Sequence, residues 1–406
     1  MARSIDLFSL GVRGGRPSPE AALVTALARG DIARVEQLAA GGLCWERVTE
    51  LAERQQVAGL CSWVWRRRNA SAGGRRSSAL PARVEGELRN SYWQHLRSNG
   101  WLLHELSALQ DSLASRGVDA LFLKGPWLAF HAYPDPGARP VGDIDLLVRE
   151  SDYAGAVEAI TRVGYASSGR LPDRSAVALS HAHFEGQLRF GARNRRWIEL
   201  HFRLVNIGPP SVSEGWVWDS ARELVVGERR FRVPGPDAML LHLLLHANQH
   251  RFAMLRLLYD VRCALDQDRS RVDETIFTER VRSLRCAASI YHGLVLAKEL
   301  AGATPSAALL ATLRPNRYRR LLFESTWGLA AARRLEAREG RTEAQAPRLY
   351  LLEMGRYRQK LEFLIRVAGA MSRRGASTLL GARRSASGDP PRGVTARDAG
   401  GSFGRK

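Results

Sequence analysis

Alternating apolar and polar residues predict two strands in the middle of the chain. The segment WIELHFRL at 197–204 places its aliphatic residues and Phe on one face and Trp, Glu, His and Arg on the other. The segment DIDLLV at 143–148 begins with the same alternation, which puts Asp143 and Asp145 on one face. Such alternation is typical of half-buried strands. If the two strands are neighbours in one sheet, Asp143, Asp145 and Glu199 form a cluster of three carboxylates.

Apolar residues spaced three and four apart predict helices on both sides of these strands. Leucines between 102 and 113 mark the buried face of a long helix from about Ala82 to Ser115, with Gly117 as its C-cap. This helix leads into a strand at Ala120 to Leu123. Two earlier helices are predicted at about 19–40 and 45–65, followed by a basic loop at 66–78. Further helices are predicted near 280–300, 317–338 and 348–371.

These elements predict an α+β fold with a small mixed sheet and helices. The core would span 118–233, between an N-terminal helical region at 19–117 and a C-terminal helical domain at 234–371. Residues 1–18 are predicted to be a flexible lead. Residues 372–406 are rich in Arg, Gly and Ser and are predicted to be a disordered basic tail.

The composition is that of a basic globular protein. Its 406 residues are 45% hydrophobic, with a net charge of +20 and an isoelectric point of about 10.8. Such an excess suggests an anionic partner: an NTP, a nucleic acid or an acidic surface. The tail holds eight Arg and Lys against two Asp, a net +6 of that charge. Charge alone therefore does not favour nucleic acid.

Cysteine and histidine spacing argues against a zinc site or a disulfide framework. The four cysteines are widely spaced, without a C-x-x-C pair. His242, His246 and His250 recur every four residues without a matching Cys or carboxylate, so we interpret their helix as lining a cleft, with Asp260 orienting one imidazole.

No segment is apolar for long enough to cross a membrane, and no signal peptide is evident. We expect a cytoplasmic protein without a membrane partner.

The predicted carboxylate cluster points to divalent metal chemistry. Like charges held close together need neutralisation, and hard cations such as Mg²⁺ or Mn²⁺ prefer oxygen ligands. Without metal the carboxylates would repel each other, so we expect Asp145→Asn to maintain or raise the stability of the apo protein.

The turn Lys124-Gly125-Pro126 separates a strand from a short helix, and its glycine lets backbone N–H groups approach a phosphate. Lys124 and Arg139 are the candidate side chains for triphosphate charge.

The order of these motifs identifies a resemblance. LKG at 123–125, RPVGDIDLLV at 139–148 and IELHFRL at 198–204 resemble a bacterial nucleotidyltransferase family with the DNA polymerase β-type fold, from about Ala21 to Met371. Two departures are Lys-Gly-Pro where many members of the wider superfamily have Gly-Ser, and Glu199 where many have Asp.

The resemblance implies metal-dependent transfer of an NMP from an NTP to a hydroxyl or phosphate acceptor. Asp143, Asp145 and Glu199 would be the catalytic and metal-binding residues. Nucleotide-binding residues would be Lys124, Gly125 and Arg139. Proteins of this kind resemble accessory enzymes of bacterial biosynthetic clusters.

Two alternatives remain open at this point. The chain could be a catalytically inactive module that binds nucleotide or nucleic acid, or a toxin-like enzyme that modifies tRNA or protein. The sequence leaves the preferred NTP, the acceptor and the oligomeric state undetermined.

Deletion of residues 372–406 tests the domain prediction. The segment lacks a periodic apolar face, so its removal should leave folding and metal-dependent NTP binding nearly unchanged. Differential scanning fluorimetry on the truncated protein measures both, and a collapse of soluble expression would show that the tail belongs to the core.

Overall fold

The computed structural model describes residues 17–71, 78–167, 187–192, 195–204, 215–250, 252–268, 271–318 and 320. All of these lie in one unit, Met1–Glu343. The predicted lead up to residue 16, the helices predicted beyond residue 320 and the basic tail lie outside the described residues.

The N-terminal region is helical, as predicted, but it divides differently. Its helices are α1 (Pro19–Arg29), α2 (Ile32–Ala39), α3 (Trp45–Arg54), α4 (Ala58–Ser71) and α5 (Ala82–Ala114). Gly30, with a φ of 80°, ends α1, and the Asp31 side chain caps α2. Gln56, with a φ of 56°, separates α3 from α4. The predicted start of the basic loop at Arg66 is wrong, because α4 continues to Ser71.

A five-stranded mixed sheet forms the core. Its strands are β1 (Ala120–Phe122), β2 (Asp143–Val148), β3 (Ala166–Ser167), β4 (Gln187–Gly191) and β5 (Trp197–His201), in the order β1-β2-β5-β4-β3. Only the β2–β5 pair is parallel among these neighbours. In its register Asp143 is opposite Trp197 and Asp145 is opposite Glu199. The predicted small mixed sheet is confirmed.

The apolar faces of β2 and β5 are fully buried. Ile144, Leu146, Ile198 and Leu200 are each 0% exposed. Burying one such side chain contributes about 1.5–3 kcal/mol. Helix α5 packs against α7 (Tyr153–Arg162), the helix that follows β2. A second sheet, the hairpin of β6 (Arg222–Val226) and β7 (Arg229–Val233), contacts β1.

The remaining elements are helical. They are α6 (Gly125–Trp127), α8 (Gly215–Asp219), α9 (Pro236–Gln249), α10 (Leu255–Asp268), α11 (Glu274–Ser283), α12 (Ala287–Leu296) and α13 (Ala307–Leu313), with π-helical turns at Leu128–Ala132 and Ala297–Ala301. Within the described ranges, no helix combines the length and apolar character needed to cross a bilayer.

The loop 134–140, which precedes β2, is held by polar contacts from α5. The Asn99 amide donates to the carbonyls of Pro136 and Arg139, both at 2.8 Å. The Tyr92 hydroxyl donates to Asp135 Oδ1 at 2.8 Å. A Cβ at Gly137 would lie only 2.5 Å from the Tyr92 ring, so a glycine is required there. These contacts fix the point at which the chain enters β2.

A buried ion cluster ties the same loop to α10. Arg139 donates from Nε to Asp260 Oδ1 at 2.8 Å and from Nη2 to Oδ2 at 3.0 Å, while Arg256 Nη1 and the Tyr133 hydroxyl donate to the same carboxylate at 3.0 and 2.9 Å. Burial opposes the charge of Asp260, but Arg139 and Arg256 outweigh it and lower its pKa. The interpretation that Asp260 orients a histidine is therefore wrong, because the two arginines and the tyrosine occupy its oxygens.

Asp260→Asn should lower the free energy of unfolding by about 3–5 kcal/mol, because it leaves the Arg139 guanidinium buried without its counter-charge. Urea denaturation measures the loss. The matched control is Asp111→Asn, which removes an exposed ion pair with Arg229 and should cost about 1 kcal/mol or less. Equal losses in the two variants would contradict a special role for the buried cluster.

Candidate active site

Three carboxylates lie on one face of the two parallel strands. The register places Asp145 beside Glu199, and Asp143 lies two residues earlier on the same face of β2. Asp145 is 1% exposed, whereas Asp143 and Glu199 are partly exposed. The sheet thus brings the three predicted acidic residues together on one surface.

Asp145 is held by two cationic or polar partners on a single oxygen. Lys124 Nζ lies 2.7 Å from Asp145 Oδ1, and His201 Nε2 lies 3.1 Å from the same atom. Burial would raise the pKa of Asp145, but Lys124 and His201 outweigh it and hold the pKa well below its usual value of 3.8. The second oxygen, Oδ2, is buried and has no hydrogen-bond partner among the residues that the structure describes.

The residues that could share a metal ion are Asp145, Glu199 and His201. One ligand atom from each lies within 4.8 Å of the others. A buried carboxylate oxygen without a partner is what an absent cation would leave behind, so the residues fit a divalent metal. Two carboxylates suit Mg²⁺ or Mn²⁺, and the imidazole adds a nitrogen donor that Mn²⁺ accepts more readily than the harder Mg²⁺.

This set differs from the predicted one by one residue. His201 takes the place that the sequence assigned to Asp143, which lies outside the group. The sequence did contain a signal for His201. It follows Glu199 by two residues and therefore lies on the same polar face of 197–204. Asp143 nonetheless acts on the site electrostatically. Burial is the main cause of the raised pKa of Glu199, and Asp145 and Asp143 add to it.

The predicted phosphate turn has an unusual backbone. Lys124 adopts a φ of 37°. Residues other than glycine rarely adopt this backbone conformation, and those that do are concentrated at functional sites. A Cβ on Gly125 would lie 2.8 Å from Val141 Cγ1, so the turn packs tightly against the segment that enters β2. Lys124 itself is 6% exposed and points to Asp145.

Arg139 lies in a different environment from the one predicted. It is 3% exposed, and Asp260 binds its Nε and Nη2. Burial opposes its charge, but Asp260 outweighs that and raises its pKa. Its guanidinium is thus bound to Asp260 on α10.

The helix α9 lines the acidic face with a row of histidines. Ring centroids are 6.5 Å apart between His201 and His242, 6.3 Å between His242 and His246, and 4.6 Å between His246 and His250. Burial, with help from Lys124, lowers the pKa of His242 to about 3. His242 is therefore neutral, and its Nδ1 donates to the Leu204 carbonyl at 3.0 Å. Among the described residues, no metal-capable group includes these three histidines.

A strand–glycine turn–helix corner thus lies beside acidic residues on paired strands, the arrangement that the sequence motifs predicted. The chain belongs to a family described as uncharacterised nucleotidyltransferases, whose model matches residues 42–302. The resemblance inferred from the motifs is thereby confirmed. No curated protein matches the chain.

Solved structures with some similarity include two antibiotic-modifying proteins. The crystal structure of ANT(2″)-Ia in complex with adenylyl-2″-tobramycin is 12% identical, covers 46% of this chain and 95% of that one, and has a TM-score of 0.32. The lincosamide antibiotic adenylyltransferase LnuA, bound to lincomycin, is 13% identical, covers 40% of this chain and 94% of that one, and has a TM-score of 0.28. These values are too low to carry an argument about substrate.

The carboxylates of Asp145 and Glu199 should respond to neutralisation with opposite signs. Asp145→Asn leaves Lys124 buried without its ion pair and should lower apo stability by about 3–5 kcal/mol, contrary to the expectation from the sequence. Glu199→Gln should raise apo stability, because the raised pKa of Glu199 means that its ionised form is disfavoured in the fold. Urea denaturation at pH 7 in EDTA measures both.

Metal provides the second half of that test. Mn²⁺ should raise the melting temperature of the wild-type protein and of neither variant, because each variant lacks a ligand charge. A lower apo stability for Glu199→Gln, or a metal response retained by both variants, would contradict the site.

Proposed function

We propose that this protein is a divalent-metal-dependent nucleotidyltransferase that moves an NMP from an NTP to a hydroxyl or phosphate acceptor. One observation carries the proposal: Asp145 and Glu199 are paired in register on parallel strands, with an unpartnered carboxylate oxygen buried between the elements that surround them. A cluster of this kind costs stability and is hard to explain without a cation. Family membership supports the same conclusion.

In the proposed reaction the acceptor oxygen attacks the α-phosphorus of the NTP. The bond from that phosphorus to the bridging oxygen breaks, and pyrophosphate leaves with the bonding electrons. A bound divalent metal would supply positive charge that stabilises the negative phosphate oxygens during transfer.

The acidic residues have distinct proposed roles. Asp145 and Glu199 would hold the metal together with His201, and Asp143 would add negative charge at the open side of the cluster. Glu199 would also take the proton from the acceptor hydroxyl, because it is the partly exposed carboxylate of the pair and can face the acceptor. Lys124 keeps Asp145 ionised and fixes the rotation of its carboxylate, whereas His201, which contacts the same oxygen through Nε2, would offer that nitrogen to the metal instead.

The nucleotide would lie on the β1 side of the carboxylates. Gly125 allows backbone N–H groups to approach the triphosphate, and Lys124 places a positive charge at the foot of that turn. For Arg139 we propose a different role from phosphate binding. Because it is buried against Asp260, it would position the loop that leads into β2.

The biological setting follows from the substrate. An NTP-dependent enzyme would act in the cytoplasm, and an accessory step in a biosynthetic pathway is the role we favour. An inactive nucleotide-binding module is the competing candidate, and it predicts NTP binding without pyrophosphate release.

The test is transfer by the purified full chain. Each of the four α-³²P-labelled NTPs is incubated with a panel of acceptors, with Mg²⁺, Mn²⁺ or EDTA, and both labelled product and pyrophosphate are measured. We expect label transfer only with metal. Asp145→Asn and Glu199→Gln should each reduce it by at least about a thousandfold, the scale of losing a main charge-stabilising group.

The matched control is Glu150→Gln, an exposed carboxylate just beyond the end of β2 that should leave transfer unchanged. Metal-dependent NTP binding without transfer to any acceptor would favour the inactive module. Binding of NTP that ignores both metal and the two active-site variants would overturn the proposal.

A further inference from the structure

An open groove of about 1040 Å³ lies beside the candidate active site and is not part of it. One wall comes from α5, a second from the end of α7, and the floor from the segments that enter β2 and β5. Trp101, Trp197 and Gly142 line it, together with Glu105, Arg162 and Arg195. None of these side chains has a role in the proposed transfer.

The groove begins next to the carboxylates. Gly142 immediately precedes Asp143, and Trp197 is the partner of Asp143 in the β2–β5 register. Neighbouring strands are about 4.8 Å apart, so the two sites are adjacent. A Cβ at Gly142 would meet no atom of the described residues within 4 Å, so there is open space beside this residue.

The groove and the Gly125 turn lie on opposite sides of β2. Gly125 follows β1, which pairs with one edge of β2, whereas Trp197 lies on β5, which pairs with the other edge. A donor at the Gly125 turn therefore leaves the groove free for a second molecule, with Asp143 and Asp145 between the two.

Two tryptophans make the groove suitable for a planar ring. Trp101 is 66% exposed and Trp197 is 44% exposed, which is unusual for indole rings. The Trp197 ring is held in place by Gly191 on the next strand, where a Cβ would lie 2.6 Å from Cζ3. An aromatic ring that is both exposed and fixed binds a flat partner at low entropic cost.

The charge of the groove favours an anion. Three guanidinium groups line it, from Arg162, Arg195 and Arg196, against the single carboxylate of Glu105. Arg195 and Arg196 share that carboxylate, at 3.3 and 3.2 Å. Arg162 is exposed and forms no ion pair within the part of the chain that the structure describes.

From this arrangement we propose that the groove binds the acceptor, and that the acceptor is an anionic small molecule with a planar ring. The inference rests on the proposed function and specifies its second substrate. The volume is at the upper end of the range of about 300–1000 Å³ for small-molecule sites. Since Arg195 and Arg196 are already engaged, Arg162 leaves charge for one anionic group rather than a track for a polynucleotide.

The test uses two probes that share a ring and differ in charge: 1-naphthalenesulfonate and 1-naphthylmethylammonium. Calorimetric titration of the full-length protein should show the sulfonate binding at least about tenfold more tightly. Trp101→Ala should weaken sulfonate binding about tenfold through lost stacking. Arg162→Gln should reduce the preference for the sulfonate, and saturating Mn²⁺–ATP should not displace it.

Trp93→Ala is the matched control, because Trp93 lies on the same helix, is 53% exposed and does not line the groove. It should leave binding unchanged. Equal affinity for both probes, equal loss in Trp93→Ala, or displacement by ATP would overturn the proposal. So would tighter, Trp101-dependent binding of a ten-residue oligothymidylate, which would indicate single-stranded nucleic acid instead.

The probe experiment separates this inference from the proposed function. Glu199→Gln should bind the sulfonate as the wild-type protein does, because Glu199 does not line the groove and its replacement should not destabilise the fold. If the protein binds the sulfonate but never releases pyrophosphate, the binding groove is supported and the proposed transferase activity is contradicted. Metal-dependent transfer without Trp101-dependent sulfonate binding would do the reverse.

Discussion

The negative charge of Asp145 is the constraint on which the site depends. An ionised carboxylate that is 1% exposed costs several kcal/mol in lost hydration. Lys124 and His201 offset that cost on one oxygen, and the other oxygen has no hydrogen-bond partner among the residues that the structure describes. The uncommon φ of Lys124 occurs at the residue whose amine must reach this buried carboxylate. Backbone strain at Lys124 and a buried, unpartnered oxygen on Asp145 therefore meet in one ion pair.

A second buried charge explains why helical regions accompany so small a sheet. Arg139 lies four residues before Asp143, and its guanidinium is bound by Asp260 on α10. Asn99 on α5 holds the backbone of the same loop. The side chain of Gln55, at the end of α3, accepts from the N–H of Leu255 at 2.7 Å, which joins the N-terminal helices to α10. Helices from both sides of the core in sequence thus fix the start of β2.

Local patterns predicted the core well because the strands are half-buried and amphipathic. The alternation in 143–148 and 197–204 defined the acidic face, and the β2–β5 pairing then placed Glu199 beside Asp145. What the sequence could not supply were partners chosen by tertiary packing. The ion pair of Arg139 with Asp260 spans 121 positions, and no local signal distinguishes it from a phosphate contact. Likewise, the break at Gln56 depends on a left-handed residue that is not a glycine.

Register links the core, the carboxylate cluster and the groove. Side chains alternate along a strand, so sliding β5 by one residue against β2 would put Ile198 or Leu200 opposite Asp145 and turn Glu199 towards the core. The same slip would move Trp197 away from Asp143. The apolar residues on the buried faces resist it, since each is fully removed from water in the observed pairing. Hydrophobic packing on one side of the sheet therefore sets the spacing of the Gly125 turn, the carboxylates and the groove on the other.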